Sequence, residues 1–141
     1  MKYIKENRNY NYVPAGQRTQ MIIGATKETD LEIMNKSEDM YKKFNLKRVF
    51  YSAYIPVNKD SLLPSKRENR LYQTDWLLRY YGFKTSDILD KEHPNLNLLI
   101  DPKANWALNN INEFPKEINK CTYEELLKIH GIGITSAKRI I

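Results

Sequence analysis

The strongest constraint on the fold is that the chain offers two runs of strand-forming residues, separated by one helical pattern, before it turns helical. Residues 19–25 (TQMIIGA) are a short apolar run closing around Gly24, as a buried strand does. Residues 47–55 (KRVFYSAYI) are rich in β-branched and aromatic side chains and stop at Pro56. Between them Thr29 and Glu32 make a capping box, in which the threonine oxygen takes an orphan helix N–H and the glutamate reaches back. Leu31, Met34, Tyr41 and Phe44 recur near one face of this helix, and Asn45 suits its end. Strand, helix and strand in this order are one βαβ unit. Two parallel strands buried on both faces do not make a stable sheet alone, so residues 1–58 read as part of a larger parallel sheet or barrel.

Residues 59–115 read as a helical connector. Loops are expected at 58–61 (NKDS) and 63–66 (LPSK), followed by a helix near 68–81 that Gly82 ends in the left-handed conformation. Tyr72, Trp76 and Tyr80 stand at i, i+4 and i+8, widened by Leu71, Leu77 and Leu78. Such a stripe is expected in the core; a base-stacking platform is its other reading. Asp101 before Pro102 spells an N-cap and a first helical residue, opening a short helix through Trp106, Ala107 and Leu108. Gly82, Phe83, Lys84, Thr85 and Ser86 have the outline of a degenerate hairpin that lacks a second glycine.

The last segment, 116–141, carries the pattern with chemistry in it. Thr122 and Glu125 make a second capping box, and Leu126, Leu127 and Ile129 give that helix an apolar side. Gly131 falls where a helix ends with positive φ, which costs little only for glycine. Ile132 is an apolar plug, and Gly133 removes a side chain where the backbone must come close to something. Ala137, Ile140 and Ile141 give the second helix its apolar face. The turn and the residues after it, Ile134, Thr135 and Ser136, leave backbone N–H groups unpaired beside the positive end of a helix dipole, which favours an anion there. Thr135 and Ser136 add hydroxyl donors, Lys128, Lys138 and Arg139 add charge, and His130 adjoins the turn. Contacts of this kind hold a phosphate backbone, carry no direct sequence information and weaken with salt. The alternative is a structural or protein-interaction module whose turn serves packing alone.

Residues 126–140, with GIG at 131–133, resemble the helix-hairpin-helix family of non-sequence-specific DNA-binding elements. The resemblance implies DNA as partner, duplex rather than single-stranded, and a monovalent cation on the hairpin carbonyls. A longer pattern, PAGQRTQMIIGA at 14–25, YSAYIP at 51–56 and RLYQTDWLLRYYGF at 70–83, resembles the C-terminal part of bacterial radical S-adenosylmethionine proteins. Those are described as DNA modification or repair proteins with a biotin-synthase-like barrel. The resemblance implies an α/β fragment: residues 1–58 as the closing βαβ portion of the barrel, 59–115 as a helical connector, and 116–141 as a helix-hairpin-helix with a short second helix. It further implies S-adenosylmethionine and a [4Fe–4S] cluster in a full-length parent, with the missing N-terminal barrel as a partner. An iron–sulfur cluster needs several thiolates and this chain has one cysteine, Cys121. No cofactor, metal or catalytic residue is therefore expected in the chain itself, and Cys121 is expected to be a packed side chain. Gln17, Arg18 and residues 24–26 would stand near the active-site end of a barrel, with no role assigned to them.

Bulk properties agree with a phosphate-binding protein without requiring one. The net charge is +6, which favours polyanions at long range. Apolar residues make up 41% of the chain, enough for a core, and no apolar run nears the roughly 20 residues that span a bilayer. The first residues lack the apolar centre of a signal peptide, so a reduced, cytoplasmic protein is expected. His93, in a loop before Pro94, has no catalytic companion, and Glu38, Asp39, Glu124 and Glu125 are expected on solvated helix faces.

Overall fold

The computed structural model describes residues 14–55 and 66–141 of the chain; the loops expected at 58–61 and 63–65 lie outside the described residues. Its order is β1 (Arg18–Ile23), α1 (Asp30–Phe44), β2 (Arg48–Ala53), α2 (Lys66–Tyr80), α3 (Thr85–Ile88), α4 (Pro102–Asn109), α5 (Tyr123–Lys128) and α6 (Ile134–Ile140), with two short 3-10 turns between α4 and α5. The architecture is mixed α/β. β1 and β2 pair in parallel, from Arg18 opposite Arg48 to Ile23 opposite Ala53.

Local chemistry places the element ends. The Thr29–Glu32 box starts α1, with Thr29 N–H donating to the Glu32 carboxylate at 2.8 Å, and Asn45 ends the helix at φ 50°. Gly24, at φ +83°, stops β1. Asp101 caps α4 by accepting from the N–H groups of Lys103 and Ala104 at 3.0 and 3.1 Å.

The two strands are buried on one face, not on both as their apolar runs suggested. Ile23, Val49 and Tyr51 pack against Ile33 and Met34 of α1 and Leu71 of α2. On the opposite face Arg18, Gln20 and Arg48 are exposed, and Ile22 is 53% exposed. An apolar residue run cannot report which side of a strand is covered; only the alternation with period two in the folded sheet does.

Among the described residues β2 has no third strand at its outer edge, and side chains take that strand's place. The inward N–H groups of Lys47 and Tyr54 donate to Gln17 and Ile23 carbonyls at 2.9 and 2.8 Å. Between these two, every second N–H turns outward: Val49 N–H donates to Tyr41 Oη at 2.9 Å, Tyr51 N–H to Tyr72 Oη at 3.0 Å, and Ala53 N–H to a Glu68 carboxylate oxygen at 3.0 Å. Tyr72 Oη in turn donates to the Tyr51 carbonyl at 2.9 Å. Every buried backbone donor needs an acceptor, and here three side chains supply what a neighbouring strand would.

Behind the sheet, fully buried Asp75 accepts from Tyr41 Oη, from Tyr51 Oη at 3.2 Å and from the Arg79 guanidinium at 2.8 Å. Burial first, and then the neighbouring Asp75 charge, push both tyrosine hydroxyls well above the usual phenol range. The aromatic stripe of α2 is accordingly not a core stripe. Tyr72 closes the strand edge, while Trp76 and Tyr80 are 49% and 46% exposed, with ring centroids 4.3 Å apart. Leu71, Thr74, Asp75 and Leu77 form the buried face instead.

A second core joins Leu77, Phe83 and Trp106, and a third joins Leu126 and Leu127 of α5 to Ala137 of α6. Tyr81 packs against both and couples α2 to the C-terminal helix pair. No helix among the described residues is long and apolar enough to cross a membrane.

Candidate nucleic-acid interface

The helix pair at the C-terminus is built from its caps inward. Thr122 N–H donates to Glu125 at 2.8 Å and Glu125 N–H to Thr122 Oγ1 at 3.3 Å, so α5 starts where the capping box predicts. Ile132 N–H donates to the Ile129 carbonyl at 3.1 Å and closes a four-residue turn. Gly131, third in that turn, has φ +87°, a conformation that any Cβ strains. Ile132 is half-buried against the third core, as a plug should be.

α6 then starts without a side-chain cap. Gly133 is its N-cap, at φ −99° and ψ 176°, and the first helical bond is Ala137 N–H to the Gly133 carbonyl at 2.9 Å. The N–H groups of Ile134, Thr135 and Ser136 precede that bond and have no acceptor among the described residues. Thr135 and Ser136 are exposed in the first turn of α6, and Lys138 and Arg139 are exposed in its last. Gly133 adopts extended backbone open to any residue, and a Cβ there would sit an ordinary 3.6 Å from Tyr81 Oη. No contact among the described residues therefore demands a glycine at this position.

One of the expected cations is turned elsewhere. Lys128 holds its ammonium over the Trp106 and Phe83 rings, 5.4 and 5.8 Å from their centroids. His130 stands 3.8 Å from Asp101, with its imidazole largely exposed. The Ile132 carbonyl, where the resemblance implied a monovalent cation, accepts from Lys103 Nζ at 2.6 Å.

Lys103 is the contact to this turn that the sequence did not disclose. It lies 29 positions before its partner, is 8% exposed, and lays its ammonium 4.8 Å from the Tyr81 ring centroid. Burial pulls its pKa down to about 8, against the opposing pull of Asp101. The one trace in the sequence is a lysine in the first turn of a helix, where the dipole disfavours a cation.

The outline at residues 82–86 folds into a similar turn in which the N–H groups of Lys84 and Thr85 already have side-chain acceptors. Gly82 has φ +72° and Phe83 is 3% exposed. Lys84 N–H donates to Asp87 at 2.8 Å, and Thr85 N–H donates to Glu38 at 2.9 Å. Glu38 is thus a cap reaching across from α1, not a solvated acid. Burial alone would raise its pKa, but Lys42 and the Thr85 N–H outweigh it and lower the carboxyl.

Other singled-out residues have local roles. Residues 24–26 wrap the Glu28 carboxylate, which accepts from Thr26 Oγ1 and from Gly24 N–H at 2.8 Å; these bonds lower it to about 2. Gln17 is buried and donates to the Phe44 carbonyl at 3.2 Å. Cys121 is half-buried, its thiol donating to the Glu117 carbonyl at 3.3 Å. His93 is exposed beside Asp90. No family model, no curated protein and no solved structure matches the chain.

Proposed function

We propose that the chain binds nucleic-acid backbones without sequence preference, through a helix-hairpin-helix formed by α5, the Gly131–Gly133 turn and α6. The observation that carries this reading is the row of unpaired N–H groups at Ile134, Thr135 and Ser136, beside a glycine that no internal contact requires. Exposed Lys138 and Arg139 supply the charge that a phosphate needs. Duplex DNA is the expected partner, and the chain itself supplies docking rather than chemistry. In a longer radical S-adenosylmethionine protein with a [4Fe–4S] cluster, this would be its DNA-docking end.

The direct test is fluorescence anisotropy of labelled duplex and single-stranded DNA titrated with the chain at several salt concentrations. Micromolar duplex binding that falls linearly with log salt, by a slope matching a few phosphates, is the expected result. No binding at low salt, from protein whose circular dichroism is folded, overturns the reading.

A second reading draws on the sheet. With β2's outer edge occupied by Tyr41, Tyr72 and Glu68, further strands of a barrel can add only beside β1. In that reading residues 14–55 end a larger sheet, and the C-terminal helices close it without touching DNA. A chain that binds an upstream barrel but no DNA would favour it.

A further inference from the structure

The aromatic side chains that α2 keeps out of the core lie beside arginines, far along the chain from the C-terminal turn. Arg48 of β2 stands 4.8 Å from the Phe50 ring centroid and 5.6 Å from that of Tyr72. One turn along α2 from Tyr72 comes Trp76, and one turn further Tyr80, with the last two centroids 4.3 Å apart. The Arg79 guanidinium closes the row, 4.8 Å from the Tyr80 centroid and 5.8 Å from that of Trp76. Rings and guanidinium groups thus alternate from β2 to the end of α2.

Two properties set this strip apart from an ordinary apolar patch. Trp76 and Tyr80 each leave about half of their surface in water, which forgoes the gain of burying a large ring. The charge beside them is also mostly of one sign. Arg79 is fixed from below by buried Asp75 at 2.8 Å. The cleft next to Tyr80 is edged by Lys47 and Lys84, which have no carboxylate partner among the described residues. The one acid lining that cleft, Glu38, is held by Lys42 and the Thr85 N–H. On the Trp76 side the neighbouring charges, Asp101 and Lys103, offset each other. An apolar face of a partner protein would cover the rings but would strip water from these cations without pairing them. A nucleic-acid strand with unpaired bases meets both needs, with planes for the rings and phosphates for the cations.

We propose that this strip, centred on Trp76 and Tyr80, binds an unpaired DNA strand by stacking its bases, with Lys47 and Lys84 against the phosphates. Arg79 is a positioning residue, since its Nη1 donates to Tyr80 Oη at 3.1 Å. The Tyr80 and Gln73 oxygens beside the strip are already engaged, by Arg79 and by Arg70 at 2.7 Å. Groups of that kind read the 2′-hydroxyl that marks RNA, so DNA is the strand assigned. The strip shares no residue with the C-terminal turn and does not rest on the duplex-binding reading.

The experiment titrates the full chain into labelled oligothymidine, an abasic strand of the same length and oligouridine, at one low salt concentration. Oligothymidine should bind roughly tenfold tighter than the abasic strand, as expected from stacking about one base. It should also quench tryptophan emission, because Trp76 is exposed where Trp106 is buried. Trp76→Ala and Tyr80→Ala should each lose most of that tenfold and leave abasic binding unchanged. Should an alanine variant fail to fold, the quenching and the abasic comparison on the wild-type chain carry the test. Equal affinity for oligothymidine and the abasic strand, or full binding by folded Trp76→Ala, overturns the proposal. Tighter binding of oligouridine than of oligothymidine overturns the assignment to DNA. No binding of any strand by the folded chain also overturns it, and leaves the exposed rings to a protein partner. Gly133→Val separates the two sites, since it should weaken duplex binding and spare oligothymidine. Loss of oligothymidine in that variant overturns this proposal with the duplex reading intact. Oligothymidine binding without duplex binding by the wild type overturns the duplex reading and leaves this one standing.

Discussion

Residues 82–85 and 131–134 make two turns with one plan and different consequences. In each a helix gives way to a glycine at positive φ, +72° and +87°, then to an apolar residue turned inward, and a new helix begins three residues after the glycine. The first turn spends its donors inside the molecule, Lys84 N–H on Asp87 and Thr85 N–H on Glu38. The second has a cap with no side chain, and its Ile134, Thr135 and Ser136 N–H groups meet no protein acceptor among the described residues. If the second turn holds an anion as proposed, backbone shape alone does not make such a site. The difference between the two turns is that a carboxylate of the chain already occupies donors of the first.

The comparison is broken most sharply at Gly133. Its backbone angles are open to a β-branched residue, so Gly133→Val should still fold, with the melting temperature lowered by the roughly 1 kcal/mol that a poorer N-cap costs. The valine methyls would stand over the outward donors and cost tenfold or more in duplex affinity, about 1.4 kcal/mol. Anisotropy beside a thermal melt separates the two effects; undiminished binding by a folded variant would mean that the donors after Gly133 are not the contact.

The positive-φ glycines give a matched pair. Gly82→Ala and Gly131→Ala should each lower stability by about 1 kcal/mol, because a Cβ strains both turns while neither has a steric neighbour to meet. Only Gly131→Ala should weaken DNA binding as well. Equal effects on binding would show that the two turns act together and that their contrast in donors is irrelevant.

These turns also show what a sequence can and cannot disclose. The capping boxes at Thr29 and Thr122, the stop at Asn45 and the Asp101-Pro102 start were legible because each is settled within four or five residues of chain. The parallel pairing of the strands followed from one helical crossover between them. The covered face of the sheet, the closing of β2 by Tyr41, Tyr72 and Glu68, and the exposure of Trp76 and Tyr80 were not, since each depends on packing between distant segments. The site divides the same way. Gly131, Gly133 and the donors after them could be read locally. The turning away of Lys128 to Trp106, the 29-residue reach of Lys103 and the 47-residue reach of Glu38 could not.

Glu38 tests that last reach. Glu38→Gln keeps an acceptor for Thr85 N–H but loses the charge and the ion pair with Lys42, and should cost about 1 kcal/mol at pH 7. The folded carboxyl is held below its ordinary value of 4.5, so this stability is fully present above that pH and is lost as pH falls through the folded value. Urea melts of the two proteins should therefore converge in acid. Melts that stay equally far apart down to pH 3 would show that something other than the carboxylate caps this turn.

The smallest expected effect is also the most direct comparison of spelling with chemistry. Lys84→Gly turns the first motif into glycine, apolar residue, glycine, matching Gly131, Ile132 and Gly133 in pattern. Lys84 N–H remains on Asp87 and Thr85 N–H on Glu38, because both bonds belong to the backbone and survive loss of the side chain. Removing one of the surface cations should reduce duplex affinity slightly, less than about twofold, through long-range charge alone. A gain of several-fold would mean that a glycine pair attracts phosphate whatever occupies the donors beside it, and the distinction between the two turns would collapse. No gain, together with a tenfold loss at Gly133→Val, would locate the activity of such a motif in its unpaired N–H groups.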